Sequence, residues 1–167
     1  MSGKTFGTDI TGAAIGRCSS SPPLPNPATS PSWSGWSPTT DNARFQPAQQ
    51  AGITAEQVPR LSLKWAFGSP DATSAWSQPT VASGRLFVGS QNGTVSSLDA
   101  KAGCIYWTFS ATSGVRTALA FGPRAGADGY AVYFGDTGAN VYALDAATGR
   151  ELWSRRVDEH LYARIRR

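Results

Sequence analysis

Arg116 lies in Ala111-Thr-Ser-Gly-Val-Arg-Thr-Ala118, a short polar loop with a glycine between two apolar runs. Its guanidinium is planar and permanently charged, and it can pair bidentately with a carboxylate. Thr117 places a hydroxyl beside it. A second stretch, Trp76-Ser-Gln-Pro79, precedes another apolar run and offers an indole with two polar side chains, Ser77 and Gln78. Trp76 either faces a bound ring or simply packs. Arg116 is either a carboxylate-binding group or a solvated loop arginine. His160, the single histidine, sits in Asp158-Glu159-His160. No nucleophile or orienting acid can be matched to it, so it does not support Ser-His-acid chemistry. The two cysteines, Cys18 and Cys104, form neither a Cys-x-x-Cys-His run nor a zinc spacing. A bridge between them is one arrangement that the spacing does not select, and Cys104 is most simply a tolerated small residue. Calcium needs about six to eight oxygen ligands, and no acidic cluster of that kind is present. No catalytic residue and no metal ligand is assigned.

The elements that must position these residues come from a repeat. A shift of 46 residues carries Ser97-Leu-Asp-Ala-Lys-Ala-Gly-Cys-Ile-Tyr-Trp107 onto Ala143-Leu-Asp-Ala-Ala-Thr-Gly-Arg-Glu-Leu-Trp153 without a gap. The same shift sets Leu86-Phe-Val-Gly89 beneath Val132-Tyr-Phe-Gly135. Such a period in a strand-rich chain is the size of one four-stranded propeller blade. Val141–Leu144 favours a pleated surface. Asp145, Thr148 and Gly149 suit a tight turn, and Leu152-Trp153 begins the return strand. The tryptophan is expected to stack between neighbouring blades, near the small residue and the glycine of the same motif. Asp99, Asp145, Trp107 and Trp153 recur with the repeat, which makes them structural.

The chain has 167 residues, enough for a sizeable core. Charged residues are 16%, below the usual ~25%. Six Trp, eighteen Gly and eleven Pro accompany short strands and many turns. The fold class is all-β. The net charge of +4 comes largely from one end, where five of the fifteen basic residues fall in the last thirteen positions. A nucleic-acid footprint needs Lys and Arg spread over a face with interleaved aromatics, and that pattern is missing. Met1–Ile10 lacks the apolar core of a signal peptide, and no apolar run approaches a membrane span.

Along the chain, residues 1–32 read as an extended or disordered leader or linker, rich in Pro, Ser and Gly. Residues 33–167 read as an incomplete propeller domain. Thr54-Ala-Glu-Gln57 has capping-box spacing and predicts one helical turn. Leu61–Phe67 alternates and predicts an opening strand. Its Trp65-Ala-Phe67 echoes Trp107-Thr-Phe109, 42 residues on. The first blade is expected at Gln78–Ala82, Arg85–Ser90, Thr94–Asp99 and Ile105–Phe109, with Ser83-Gly84 and Asn92-Gly93 as turns. The second is expected at Ala118–Phe121, Ala131–Asp136, Asn140–Asp145 and Glu151–Arg155. About two blades and one strand cannot close a ring of roughly 4–8 blades. Open edges of that kind invite association, and the chain reads as a fragment of a longer product.

Residues 143–153 resemble the tryptophan-docking motif Ala-x-Asp-x-x-Thr-Gly-Lys-x-x-Trp of pyrroloquinoline quinone (PQQ) dehydrogenase propellers, with Arg150 for Lys. Trp36, Asn42, Arg44, Phe45, Val58, Leu61 and Trp65 resemble the opening of those propellers. Asn42-x-Arg-Phe-Gln-Pro47, Leu63–Gly68, Gln78-Pro-Thr-Val81 and Gly89–Val95 are similar to the polyvinyl alcohol dehydrogenase-like branch. The resemblance implies the N-terminal part of a periplasmic quinoprotein, with PQQ as cofactor and hydride transfer from an alcohol. It implies a cytochrome electron acceptor, and calcium held by later blades of the intact protein. Arg116 and Thr117 fall where an arginine of the related enzymes contacts PQQ, and Arg116 could stabilise charge on a quinone oxygen. Trp76 and Gln78 complete the cofactor-binding set. Two departures stand out. Ser110–Val115 lacks the adjacent cysteine pair of those enzymes, and Trp76 replaces their glutamate three residues before Pro79. The fragment is expected to be inactive alone. The alternative is a cofactor-free propeller of the same repeat, acting as a protein-interaction scaffold.

Overall fold

The computed structural model describes residues 16–39, 41 and 43–159. Asn42 and His160 lie outside the described residues. Two four-stranded antiparallel sheets stand in sequence order. The first holds β1 (Thr80–Ala82), β2 (Arg85–Gly89), β3 (Thr94–Asp99) and β4 (Ile105–Ser110). The second holds β5 (Ala120–Pro123), β6 (Tyr130–Gly135), β7 (Asn140–Asp145) and β8 (Glu151–Arg156). These are the two expected blades, and only the ends of the strands differ. The sequence alternation drives the pairing. Leu86 lies opposite Leu98, and Val132 lies opposite Leu144. Both copies carry a register shift at the same place, Ser97/Leu98 and Ala143/Leu144. The turn between β1 and β2 places Ser83 and Gly84 at φ of 50° and 69°. That is the left-handed pair a two-residue hairpin requires.

The core lies between the sheets. Phe87, Val95 and Trp107 of the first face Val132, Phe134, Tyr142 and Leu144 of the second, all buried. Phe87 stacks on Phe121 at 5.8 Å, and Phe109 meets Tyr142 edge-on at 5.7 Å. Such aromatic pairs add to the apolar area they bury.

The recurring motif closes each β3–β4 type turn and receives a tryptophan. Asp99 Oδ1 accepts the backbone N–H groups of Lys101 and Ala102 at 2.8 and 2.6 Å. Asp145 Oδ1 accepts those of Ala147 and Thr148 at 3.1 and 2.9 Å. The Tyr106 hydroxyl also donates to Asp99 at 2.6 Å and, with those backbone donors, holds its carboxyl below the ordinary carboxylate range against the opposing effect of burial. Trp107 leaves its own sheet and donates its indole N–H to Ala146 O at 3.1 Å. Its ring covers Gly149, where a Cβ would stand 2.5 Å from Trp107 Cδ2. Trp65 repeats the contact one unit earlier. It donates to Ala100 O at 3.4 Å and covers Gly103, where a Cβ would stand 2.6 Å from the ring. Each tryptophan therefore stacks between units, as expected, and the small residue and glycine it meets belong to the following copy. Trp153 has no following copy among the described residues and is 46% exposed.

Leu61–Phe67 is a correction. It forms no strand, and Leu61 and Leu63 are exposed. A strand needs a ladder partner, and none lies beside this segment among the described residues, so only Trp65 anchors it. The expected capping turn is present as a 3₁₀ helix at Ala55–Arg60, where Gln57 Oε1 accepts the Thr54 N–H at 2.8 Å.

Residues 16–32 run extended apart from a 3₁₀ turn at Pro27–Thr29, and they carry contacts that local sequence patterns do not announce. Cys18 and Cys104 form a disulfide across 86 residues, so Cys104 is a crosslink rather than a merely tolerated small residue. The Cys18 N–H donates to Ile105 O at 3.0 Å. Arg85 is 2% exposed and donates to Ser21 Oγ, Pro22 O and Ala147 O at 3.1, 2.9 and 2.9 Å. Its guanidinium lies 4.0 Å over the Tyr106 ring. Burial lowers its pKa, and Tyr106, Asp145 and Asp99 oppose that shift. Trp33 pairs with the free edge of β1, exchanging backbone hydrogen bonds with Val81 at 2.9 and 2.8 Å.

The docking geometry separates two chemically identical substitutions. Trp107→Ala is expected to lower unfolding stability by about 3–5 kcal/mol. Trp153→Ala is expected to change it by less than about 1 kcal/mol. Urea unfolding followed by circular dichroism checks both, and equal losses would contradict the described packing.

Candidate functional site

The segments leading into β1 and β5 lie side by side at one end of the two inner strands. Hydroxyls tie them together. Ser77 Oγ donates to Thr117 O at 2.7 Å, and Thr80 Oγ1 donates to Leu119 O. Ser77 Oγ also accepts the Gly89 N–H at 3.3 Å. Gly89 is needed there, because a Cβ would lie 2.5 Å from Val115 Cγ1. Val115 is fully buried in that notch. The residue after it, Arg116, is thereby directed to the surface beside Trp76.

The Arg116 guanidinium carbon stands 3.9 Å over the Trp76 ring. Trp76 is 52% exposed. Arg116 Nε is buried and makes no hydrogen bond within the protein. Arg116 has no carboxylate partner among the described residues. A desolvated donor on a charged group is costly to leave unmade. Thr117 turns the other way. Its hydroxyl accepts the Gly135 N–H at 3.2 Å and donates to Gly135 O at 3.1 Å, fastening the loop to β6. Gln78 is half-buried in the β1 lead-in. The structure thus brings Trp76 and Arg116 into direct contact and ties Thr117 to Ser77, while Gln78 stands next to Ser77 in the chain.

Asp136 is the residue that sequence reading passed over. It is 3% exposed and serves as the hub of this loop. Its Oδ1 accepts the N–H groups of Gly138 and Asn140, both at 2.9 Å. Its Oδ2 accepts the Tyr142 hydroxyl at 2.9 Å and the Ser113 N–H at 3.1 Å. The Asn140 amide reaches both oxygens, at 3.0 and 2.9 Å. Tyr142 in turn accepts the Thr112 N–H at 3.1 Å. Burial raises the Tyr142 pKa, and the hydrogen bond to Asp136 adds to the rise while Thr112 opposes it. The loop backbone is completed by Val115 N–H to Ser90 O and Thr137 N–H to Gly114 O, both at 2.9 Å. One signal was available in the chain. The 46-residue shift sets Ser90 beneath Asp136, so the carboxylate breaks the repeat.

Removing that hub strands several buried donors at once. Asp136→Ala is expected to cost more than about 3 kcal/mol. Hydrogen exchange at Ser113 and Val115 is expected to accelerate with it. Urea titration and amide exchange check the two effects, and an unchanged Ser113 amide would show that Asp136 does not hold the loop.

Comparison with known proteins places this geometry. Residues 49–159 match the PQQ_2 family model, described as "Outer membrane protein assembly factor BamB". The chain is 39% identical over 145 residues to a polyvinylalcohol dehydrogenase of a Pseudomonas species, covering 86% of this chain and 22% of that protein. It is 36% identical over 160 residues to a polyvinylalcohol dehydrogenase of Sphingopyxis sp. strain 113P3, covering 93% of this chain and 24% of that one. Among solved structures, quinohemoprotein alcohol dehydrogenase from Comamonas testosteroni aligns with a TM-score of 0.62 at 25% identity, over 75% of this chain and 19% of its own. The chain therefore spans less than a quarter of the length of the curated relatives it matches. Its repeated sheets, its inter-unit tryptophans and these matches show that it belongs to the PQQ-repeat propeller family and is similar to a segment of the quinoprotein dehydrogenases.

Proposed function

We propose that this chain forms one wall of the cofactor site of a PQQ-dependent alcohol dehydrogenase of the polyvinyl alcohol-oxidising type. The observation that carries the reading is Arg116: a stacked guanidinium with no acidic partner and a buried, unanswered Nε–H, at the end of the inner strands. PQQ carries carboxylates on a planar quinone, and when bound it would supply the two-electron acceptor for alcohol oxidation. Arg116 would hold one carboxylate or quinone oxygen through charge-assisted hydrogen bonds. Trp76 would shield that contact from water on one side. Thr117 would fix the loop through Gly135, and Gln78 would border the site from the β1 side.

The rest of the chemistry is assigned to parts of the intact protein beyond this segment. Among the described residues no three His, Cys, Asp or Glu side chains converge on a metal position. Calcium, the catalytic base and the contact with a cytochrome acceptor would then come from elsewhere, in a periplasmic enzyme. The segment alone would bind without turnover. The description of the matching family model favours a second reading, a cofactor-free scaffold of the outer-membrane assembly kind.

Calorimetric titration with PQQ, with and without calcium, separates the two. The folded chain is expected to bind saturably. Arg116→Ala is expected to weaken binding about tenfold or more, the loss of one hydrogen-bonded charge pair. A chain folded by circular dichroism that takes up no PQQ would sink the dehydrogenase reading and leave the scaffold.

A further inference from the structure

The first sheet contains a built-in comparison for Arg116. Arg85 also lies over an aromatic ring, 4.0 Å from the centroid of Tyr106. Arg85 has three oxygen acceptors, from Ala147, Ser21 and Pro22. Arg116 has the same kind of ring contact, at 3.9 Å from Trp76, and none of the acceptors. The first arrangement satisfies a structural arginine. The second fixes a guanidinium that has no oxygen acceptor and no carboxylate partner among the described residues.

We infer that Trp76 is a positioning residue: its indole holds the Arg116 guanidinium in place without neutralising it, so that Arg116 serves as an anion receptor with its full charge. This rests on the cofactor-site reading above. The physical reason is the contrast between a ring and a carboxylate as a partner for arginine. A carboxylate would occupy the guanidinium fork and cancel its charge. A ring attracts the cation through its quadrupole and leaves the edge N–H groups pointing outward. The ring can also limit the rotamer freedom that Arg116 would otherwise lose on binding. Trp76 is suited to this by its place. Ser77, the next residue, is buried and bonded to Thr117 O, so both backbones flanking the stack are fixed to each other.

The test uses the full chain, labelled with nitrogen-15, and observes arginine Nε–H signals, with Arg116→Lys assigning the resonance. The Arg116 signal is expected upfield of the free-arginine position because its N–H lies over the indole face. Trp76→Ala should return it towards that position, and Trp76→Phe should keep part of the displacement. Titration with PQQ should show affinity about 2- to 5-fold weaker in Trp76→Ala. Dispersed amide spectra confirm that each variant is folded. An Arg116 signal that does not move in Trp76→Ala overturns the inference, as does a Trp76→Ala chain that binds PQQ as tightly as the wild type. A displaced Arg116 signal in a wild-type chain that binds no PQQ would defeat the cofactor reading and leave the stacked, unneutralised arginine standing.

Discussion

The structure depends on one contact made twice: a tryptophan from one unit laid on the glycine of the next unit's turn. Trp65 covers Gly103, and Trp107 covers Gly149, each donating its indole N–H to the alanine carbonyl beside the turn aspartate. The glycine is required on two counts. Its φ is positive, 73° and 74° in the two copies, and a Cβ would collide with the ring. The aspartate is required because it holds the turn that presents the glycine. A sheet of four short strands buries little alone, and this contact makes a neighbouring sheet the other half of its core. The unanswered Trp153 follows from the same rule.

The candidate site is a consequence of that stacking. Once two sheets lie face to face, the lead-ins of their inner strands come together, and hydroxyls on Ser77 and Thr80 reach across to carbonyls of the next unit. The loop between the sheets is then braced from below by Asp136 and from the side by Val115 packed against Gly89. Arg116 and Trp76 remain in contact with each other at the surface of that brace. Binding residues on a loop braced by a rigid scaffold are the usual division of labour in repeat folds. Here the scaffold residues outnumber the two that would meet a ligand.

Much of this was legible in the sequence because the repeat is local and periodic. The 46-residue shift located both blades, the turn aspartates and the inter-unit tryptophans, and the alternation set the strands to within a few residues. Arg116 stood out as a charged residue in an otherwise small-residue loop. What escaped depends on pairs distant in sequence. The Cys18–Cys104 bridge joins the leader to a position the repeat treats as variable, and nothing near either cysteine signals the other. Arg85 read as the polar edge of a strand, and its acceptors lie in the leader and in the next unit. Leu61–Phe67 had the alternation of a strand but no neighbour to pair with, since pattern alone does not supply a ladder. Asp136 was hidden by being read as a strand end, where its break with the repeat carried the information.

The docking rule is tested most directly by hydrogen exchange of the indole N–H groups, with nitrogen-15 tryptophan incorporated into the whole chain and each signal assigned by substitution. The account predicts that Trp107, buried and bonded to Ala146 O, exchanges slowest. Trp65, bonded to Ala100 O at the longer 3.4 Å, should be intermediate, and Trp153 should exchange at nearly the rate of a free indole. A Trp107 signal as unprotected as that of Trp153 would contradict it, because the two units would then not be held together by the contact on which the fold and the site both depend.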